Sequence, residues 1–392
     1  MKIVVALDSF KGALSADLVC RAVEAGLRSP AIAVEIVRKP MADGGEGTAA
    51  ALMAARLDGQ WLAADVQGPL PGQVVAAAWA WFPDDRTAVI EMAAASGLPL
   101  LAEHERNPLQ TSTYGTGELI RAAIEHGAQR ILLTIGGSAT VDGGIGAAVA
   151  LGWRFLDAAG NAVEPRGGNL GEIARIVRPD PGEMPPVTVL CDVTNPLCGQ
   201  RGAAVVFGPQ KGATPQMVAR LEAGLANLAM RIKADLGKDV LGLAGGGAAG
   251  GLGAGASAFF GAELAPGIET IIAASGLRQA LEGADWCIAG EGSFDQQSLD
   301  GKVVCGVAEA ARDAGVPVVV FAGQVRVAPE ACRQLGIHSF WQLQSPGISL
   351  DESIRRTPEL LFDTATRWWR SLNKPRDRPV QDSRCSDDIQ LY

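Results

Sequence analysis

The sequence lacks a cysteine framework. Its seven cysteines (Cys20, Cys191, Cys198, Cys287, Cys305, Cys332 and Cys385) are odd in number, scattered, and form no CxxC pair. That argues against a disulfide scaffold or zinc site and for reduced, cytoplasmic thiols. Histidine is scarce: His104, His126 and His338 show no metal-ligand spacing and are read as structural. Positive charge is in deficit, 34 Lys and Arg against 43 Asp and Glu, or −9. No nucleic-acid or anionic-membrane partner is therefore expected. The amino-terminal segment reads as a strand with one lysine, not a signal peptide. Residues 240–262 carry no charge but hold nine glycines, which suits a glycine-rich loop better than a membrane span.

Several catalytic signatures are missing as well. There is no GxxxxGK[ST] phosphate loop, no GxGxxG after the first strand, no GxSxG elbow and no HRD or DFG set. P-loop, dinucleotide-binding, serine-hydrolase and protein-kinase readings are thereby disfavoured.

The patterning that is present reads as alternating strand and helix. Strands are expected at 2–7, 33–39, 73–82, 87–92, 131–135, 187–193, 284–290 and 316–322. Helices are expected at 15–28, 46–56 and 117–126, the last closed by Gly127. Such alternation predicts an α/β architecture with largely parallel sheet. The length of 392 residues suits two domains. The polar stretch 373–392 reads as a disordered tail.

Polar clusters recur just beyond the carboxyl ends of five strands. They are Asp8-Ser9-Phe10-Lys11, Asp43-Gly44-Gly45-Glu46-Gly47-Thr48, Gly136-Gly137-Ser138-Ala139-Thr140, Asp192-Val193-Thr194-Asn195 and Gly290-Glu291-Gly292-Ser293-Phe294-Asp295. Open α/β sheets bind ligands at that edge. Glycines let backbone N–H groups approach an anion. Asp8, Asp43, Asp192 and Asp295 read as magnesium or hydroxyl partners. Lys11, Lys211 and Lys302, each close to glycine, would neutralise phosphate. Together these suit phosphoryl transfer, in which catalysis is mainly positioning and charge neutralisation. Plainer readings stand beside them: Asp8 as a cap, Gly44–Gly47 as a turn, Gly245–Gly255 as close packing, Lys211 and Lys302 as solvated surface. Glu91, an acid among apolar neighbours, is either a helix-terminal charge or a site residue.

These clusters, with Phe207-Gly208-Pro209-Gln210-Lys211-Gly212-Ala213, Ala248-Ala249-Gly250-Gly251-Leu252-Gly253 and Pro266-Gly267-Ile268-Glu269, resemble the bacterial glycerate kinase family of the glycerate 2-kinase type. The likeness runs in order from residue 1 to about 370. It implies ATP and Mg²⁺ as cofactors and D-glycerate as substrate, giving 2-phosphoglycerate in glyoxylate- or glucarate-type acid catabolism. It also implies two α/β domains with one inserted into the other and the active site in the cleft between them. Residues 1–72 plus 285–372 would form a discontinuous Rossmann-like domain, and 73–284 the insert. On this basis Asp8, Lys11 and Asp192 are the expected catalytic residues. Ser9, Gly44, Gly45, Glu46, Ser293, Asp295 and Lys302 would meet substrate. Gly136, Gly137, Ser138, Lys211, Gly250 and Gly251 would meet nucleotide, and Asp43 and Asp192 the metal. A homo-oligomer is compatible with the family.

Two departures from the family pattern stand out. Ser293 replaces the Arg that usually follows Gly-Glu-Gly, and Val141 replaces Asn in GGSATND. A lost guanidinium removes a clamp for carboxylate or phosphate. Two other readings follow: a magnesium-dependent kinase of another small hydroxy or sugar acid, or a non-catalytic acid or nucleotide sensor.

Overall fold

Ile3–Leu7 is apolar on both faces and buried, as a strand covered on each side by helices must be. It opens a computed structural model that describes residues 1–28, 34–180, 184–294, 303–326, 335–343 and 348–372. The described strands, in chain order, are β1 (Lys2–Leu7), β2 (Glu35–Arg38), β3 (Gln60–Gln67), β4 (Val74–Phe82), β5 (Thr87–Glu91), β6 (Arg130–Thr134) and β7 (Arg154–Leu156). Then come β8 (Arg175–Val177), β9 (Val187–Leu190), β10 (Glu263–Ala265), β11 (Trp286–Phe294), β12 (Val318–Val325) and β13 (Ile337–Gln342).

The chain forms two compact units. The first comprises Met1–Asp43, Ala50–Leu57 and the chain from Ile268 onward; the second comprises Gly44–Ala49 and Asp58–Gly267. The expected borders after 72 and 284 thus differ from those observed. β3 belongs with the second unit because it pairs along its length with β4. Residues 268–284 belong with the first, where Ile268 and Ile272 lie against Gly306.

The first unit holds a five-stranded sheet in the order β13-β12-β11-β1-β2, parallel throughout. Helix Ala16–Leu27 follows β1 and packs against helix Thr357–Leu372. Their close approach depends on Gly26, whose missing Cβ would strike the carbonyl of Phe362. Trp368 and Trp369 are both buried, in a core with Phe321 and Trp341. The stretch 373–392, expected to be a tail, lies outside the described residues.

The second unit holds a six-stranded sheet in the order β10-β9-β6-β5-β4-β3. Its first four strands are parallel; β4 pairs antiparallel with both β5 and β3, so this sheet is mixed. Helices Tyr114–His126, Pro215–Leu236 and Ala248–Phe260 contribute to its core. His126 sits edge-on to Trp79 and Trp81, and in the first unit His338 sits edge-on to Trp286, so both histidines serve packing. No helix among the described residues is long and apolar enough to cross a membrane.

Candidate active site

In the first unit the register sets Leu7 beside Gly290 and Gly290 beside Phe321, so the carboxyl ends of β1, β11 and β12 share one edge. The Asp8 N–H donates to the Gly290 carbonyl at 2.9 Å, carrying the chain just past that edge. On the other side, Lys39 and Met41 N–H groups bond the carbonyls of Val5 and Leu7. This continuation of β2 brings Asp43 into the electrostatic neighbourhood of Asp8. Lys11 Nζ lies 3.5 Å from Asp43 Oδ2. Phe10 turns inward, its N–H on the Leu14 carbonyl, which leaves Lys11 at the surface with 78% of its side chain exposed.

Asp8 is 7% exposed, and its Oδ1 accepts from the Ser9 N–H at 2.6 Å. Burial, then the nearby Asp43 charge, raises the Asp8 carboxyl to about 7; the Ser9 N–H and Lys11 oppose the rise. Lys11 is raised in turn, chiefly by Asp43 and then Asp8. Asp8, Ser9, Lys11 and Asp43 are therefore one electrostatic cluster. Glu291 joins it, since its charge also acts on Lys11. The sequence reading assigns Glu291 no role, although it stands in the same strand-end pattern as Asp8 and Asp43.

The glycine cluster at 290 differs from expectation. Gly290–Phe294 lies within β11 rather than in a loop after it, because β12 continues to pair where β1 has ended: Glu291 opposes Ala322 and Ser293 opposes Gln324. Gly290 is required there, since a Cβ would strike the Phe321 carbonyl. Ser293 is exposed. Asp295 and Lys302, expected at the substrate, lie outside the described residues.

The second unit gathers its own strand ends. Glu91 pairs with Thr134, Thr134 with Leu190, and Leu190 with Ala265, again along one edge. Glu91 proves to be a helix-terminal charge: its Oε1 accepts from the Ala49 N–H at 2.8 Å and its Oε2 from the Gly47 N–H at 3.3 Å. Both donors are orphan groups at the start of helix Thr48–Ala55. Burial raises the Glu91 carboxyl while these two bonds oppose it. The glycine-rich turn Gly44–Gly47 is thus shaped around Glu91. Gly44 is buried against Gly267, with room for no Cβ.

The Gly136–Gly137 turn lies against the first: a Cβ on Gly136 would sit 3.2 Å from Gly45 Cα, and one on Gly137 would sit 3.9 Å from Glu46 Oε2. Gly44, Gly45, Glu46, Gly136, Gly137 and Ser138 therefore converge, with Gly137 at φ 70°. Asp192 projects beyond β9, and its Oδ1 accepts the Gly267 N–H at 2.7 Å.

Three residues expected at nucleotide, Lys211, Gly250 and Gly251, are buried. Lys211 is 1% exposed rather than solvated, and its Nζ donates to Ser138 Oγ at 2.6 Å and to the Thr140 carbonyl at 2.7 Å. Burial pulls its ammonium down to about 7, with the Asp142 carboxylate opposing. Gly250 and Gly251 are buried packing residues. They stand at φ 67° and 93° inside Ala248–Phe260, where the Gly250 carbonyl accepts from the Gly143 N–H at 3.0 Å. A Cβ on Gly250 would clash with the Thr140 carbonyl and lie 2.6 Å from Val141 Cα. Gly250→Ala should cost about 3 kcal/mol or more, from overpacking and left-handed strain together. A fall in Tm with loss of soluble protein is the expected outcome; a wild-type Tm would refute the packing role. Val141 is fully buried in the same core, so an apolar side chain suits its place.

Among the described residues no group of three or more His, Cys, Asp or Glu side chains is placed to hold a metal ion. Mg²⁺ does not need one. It commonly takes one or two carboxylates and completes its shell with water and substrate phosphates. The neighbouring Asp8 and Asp43 are hard oxygen donors of that kind, and their mutual repulsion is what a divalent cation relieves.

A family model described as "Glycerate kinase family" matches residues 3–373. The chain belongs to the glycerate kinase family. A glycerate kinase from Halalkalibacterium halodurans is 45% identical over 93% of this chain and 96% of its own. Glycerate 2-kinase from Escherichia coli K12 is 44% identical over 91% and 93%. A crystal structure assigned to glycerate kinase 2 of Salmonella typhimurium LT2 superimposes with a TM-score of 0.85 at 43% identity, covering 95% of this chain and 98% of that one. As a member of the glycerate kinase family the protein is a kinase. The mixed α/β fold with mostly parallel sheets is that of its structural relative.

Proposed function

We propose that this kinase transfers the γ-phosphoryl group of ATP to the 2-hydroxyl of D-glycerate, in the cytoplasm and within organic-acid catabolism. The match to glycerate 2-kinase, over 91% of this chain and 93% of that one, carries the reading. The cluster of Asp8, Lys11 and Asp43 supplies chemistry suited to it. Asp8, at the end of a rigid strand, orients the attacking hydroxyl and takes its proton. A carboxyl raised toward neutrality is matched to that task. Lys11 offsets charge on the transferring phosphoryl. Mg²⁺, held by Asp43 with Asp8 nearby, would supply charge neutralisation at the phosphate oxygens. The Gly136–Ser138 turn offers N–H groups to an anionic oxygen. Asp192, expected at the metal, has one oxygen committed to the Gly267 N–H.

Purified protein should convert D-glycerate and ATP into 2-phosphoglycerate, read by a coupled assay and by phosphorus NMR. Formation of 3-phosphoglycerate would overturn the regiochemistry. Nucleotide binding without turnover, restored by Ser293→Arg, would favour the sensor reading instead. Faster turnover of a different hydroxy acid would shift the substrate.

A further inference from the structure

A lysine buried without a carboxylate partner is costly, and a packing role alone would be met by Leu or Met. Lys211 nevertheless ranks among the largest fully buried side chains of the described residues. It enters from the short turn Pro209–Lys211, closed by Gly212 at φ 89°. Its ammonium reaches 2.6 Å from Ser138 Oγ and 2.7 Å from the Thr140 carbonyl. Both acceptors belong to the turn that begins at Gly136.

The rest of that turn is pinned by backbone. The Gly137 carbonyl accepts from the Leu98 N–H at 2.8 Å, and the Ala139 N–H donates to the Ser96 carbonyl at 2.9 Å. Nearby Asp142 is occupied elsewhere: its oxygens accept from the Thr113 N–H and hydroxyl and from the N–H groups of Gly144 and Gly146. It bears on Lys211 through its field alone.

In its charged form, which the field of Asp142 favours, Lys211 is a donor only. When Lys211 donates to Ser138 Oγ, that oxygen is the acceptor and its own proton is left to donate. Among the described residues nothing takes that proton. Ser138 is 7% exposed, just open to solvent.

We propose that Lys211 is a positioning residue: from beneath the Gly136–Thr140 turn it fixes Ser138 as a hydrogen-bond donor to an anionic oxygen of a substrate. This rests on the glycerate kinase reading of the site. It also accounts for a buried lysine that makes no ion pair among the described residues and feels Asp142 only through its field. The oxygen is a phosphate oxygen of ATP or the carboxylate of glycerate, and the two predict different kinetics.

The test compares Lys211→Met, Ser138→Ala, Ser138→Thr and the double variant Lys211→Met/Ser138→Ala. Steady-state kinetics with ATP and D-glycerate are combined with thermal melts and calorimetric binding of ADP and of D-glycerate. Lys211→Met should raise one KM about tenfold, the size of one charge-assisted hydrogen bond, with a smaller change in kcat. A rise for ATP identifies a phosphate oxygen; a rise for glycerate identifies the carboxylate. Ser138→Ala should reproduce the effect, Ser138→Thr should restore it, and the double variant should be no worse than either single change. Unchanged KM values in folded Lys211→Met, or multiplicative losses in the double variant, would overturn the proposal. If Lys211→Met fails to fold, equal KM values in Ser138→Ala and Ser138→Thr would overturn it. If wild-type protein makes no phosphoglycerate, the functional reading fails, and the calorimetric series alone decides the role of Lys211.

Discussion

Asp8→Asn should lower kcat about 10³-fold while leaving the protein folded, and more stable at pH 8 than the wild type. Asn keeps the shape and an oxygen for the Ser9 N–H, which Asp8 holds at 2.6 Å. It cannot take a proton from a substrate hydroxyl. The stability gain follows from linkage. Asp8 is raised from 3.8 to about 7. Between those values the native state holds a proton that the unfolded state has released. Stability therefore falls as pH rises through that window and is flat above it. A shift of about three units corresponds to roughly 4 kcal/mol of penalty at pH 8, an upper figure, which Asn removes. The Tm of Asp8→Asn should exceed that of the wild type by more at pH 8 than at pH 5. The same ionisation sets the acid limb of kcat/KM, which should rise through about pH 7 in the wild type and vanish in the variant. Retained turnover would remove Asp8 from the chemistry; an equal Tm difference at both pH values would show that its carboxyl is not held protonated.

The strand ends were legible because buried parallel strands are short apolar runs, and the chemistry-bearing residues interrupt those runs abruptly. Lys2–Leu7 followed by Asp8 is such a break, and Thr87–Glu91 another. What Glu91 does was not legible. Its partners, the N–H groups of Gly47 and Ala49, lie more than forty residues back, and backbone donors carry no sequence signature. β3 went unread because its half-exposed pattern alternates weakly and depends on pairing with β4. Lys211 illustrates a harder limit. A lysine between Gln210 and Gly212 reads as surface, and only tertiary packing buries it. Gly250 is expected at nucleotide from the family resemblance, with close packing the plainer reading of its glycine-rich context. The same context arises wherever two backbones must touch, as they do against Thr140 and Val141.

Lys11→Met should separate function from stability most cleanly. The side chain is largely solvated, and its ion pair with Asp43 spans 3.5 Å, the kind of surface contact worth little to folding. Tm should stay within ~2 °C of the wild type. Turnover should still fall about 10²- to 10³-fold, because a preorganised cation facing a transferring phosphoryl does far more there than in a surface pair. A second consequence distinguishes this role from mere charge screening. Lys11 opposes the rise of the Asp8 carboxyl. Its removal leaves Asp8 and Asp43 repelling each other unrelieved, so Asp8 becomes harder to ionise. The acid limb of kcat/KM should therefore move to higher pH in Lys11→Met. Lys11→Arg, which keeps the charge on a planar fork, should hold the limb in place and recover part of kcat. A Lys11→Met enzyme with kcat within about threefold of wild type would place the phosphoryl group away from this residue. A large loss of kcat with an unmoved acid limb would instead mean that Lys11 acts on the nucleotide without touching the ionisation of Asp8.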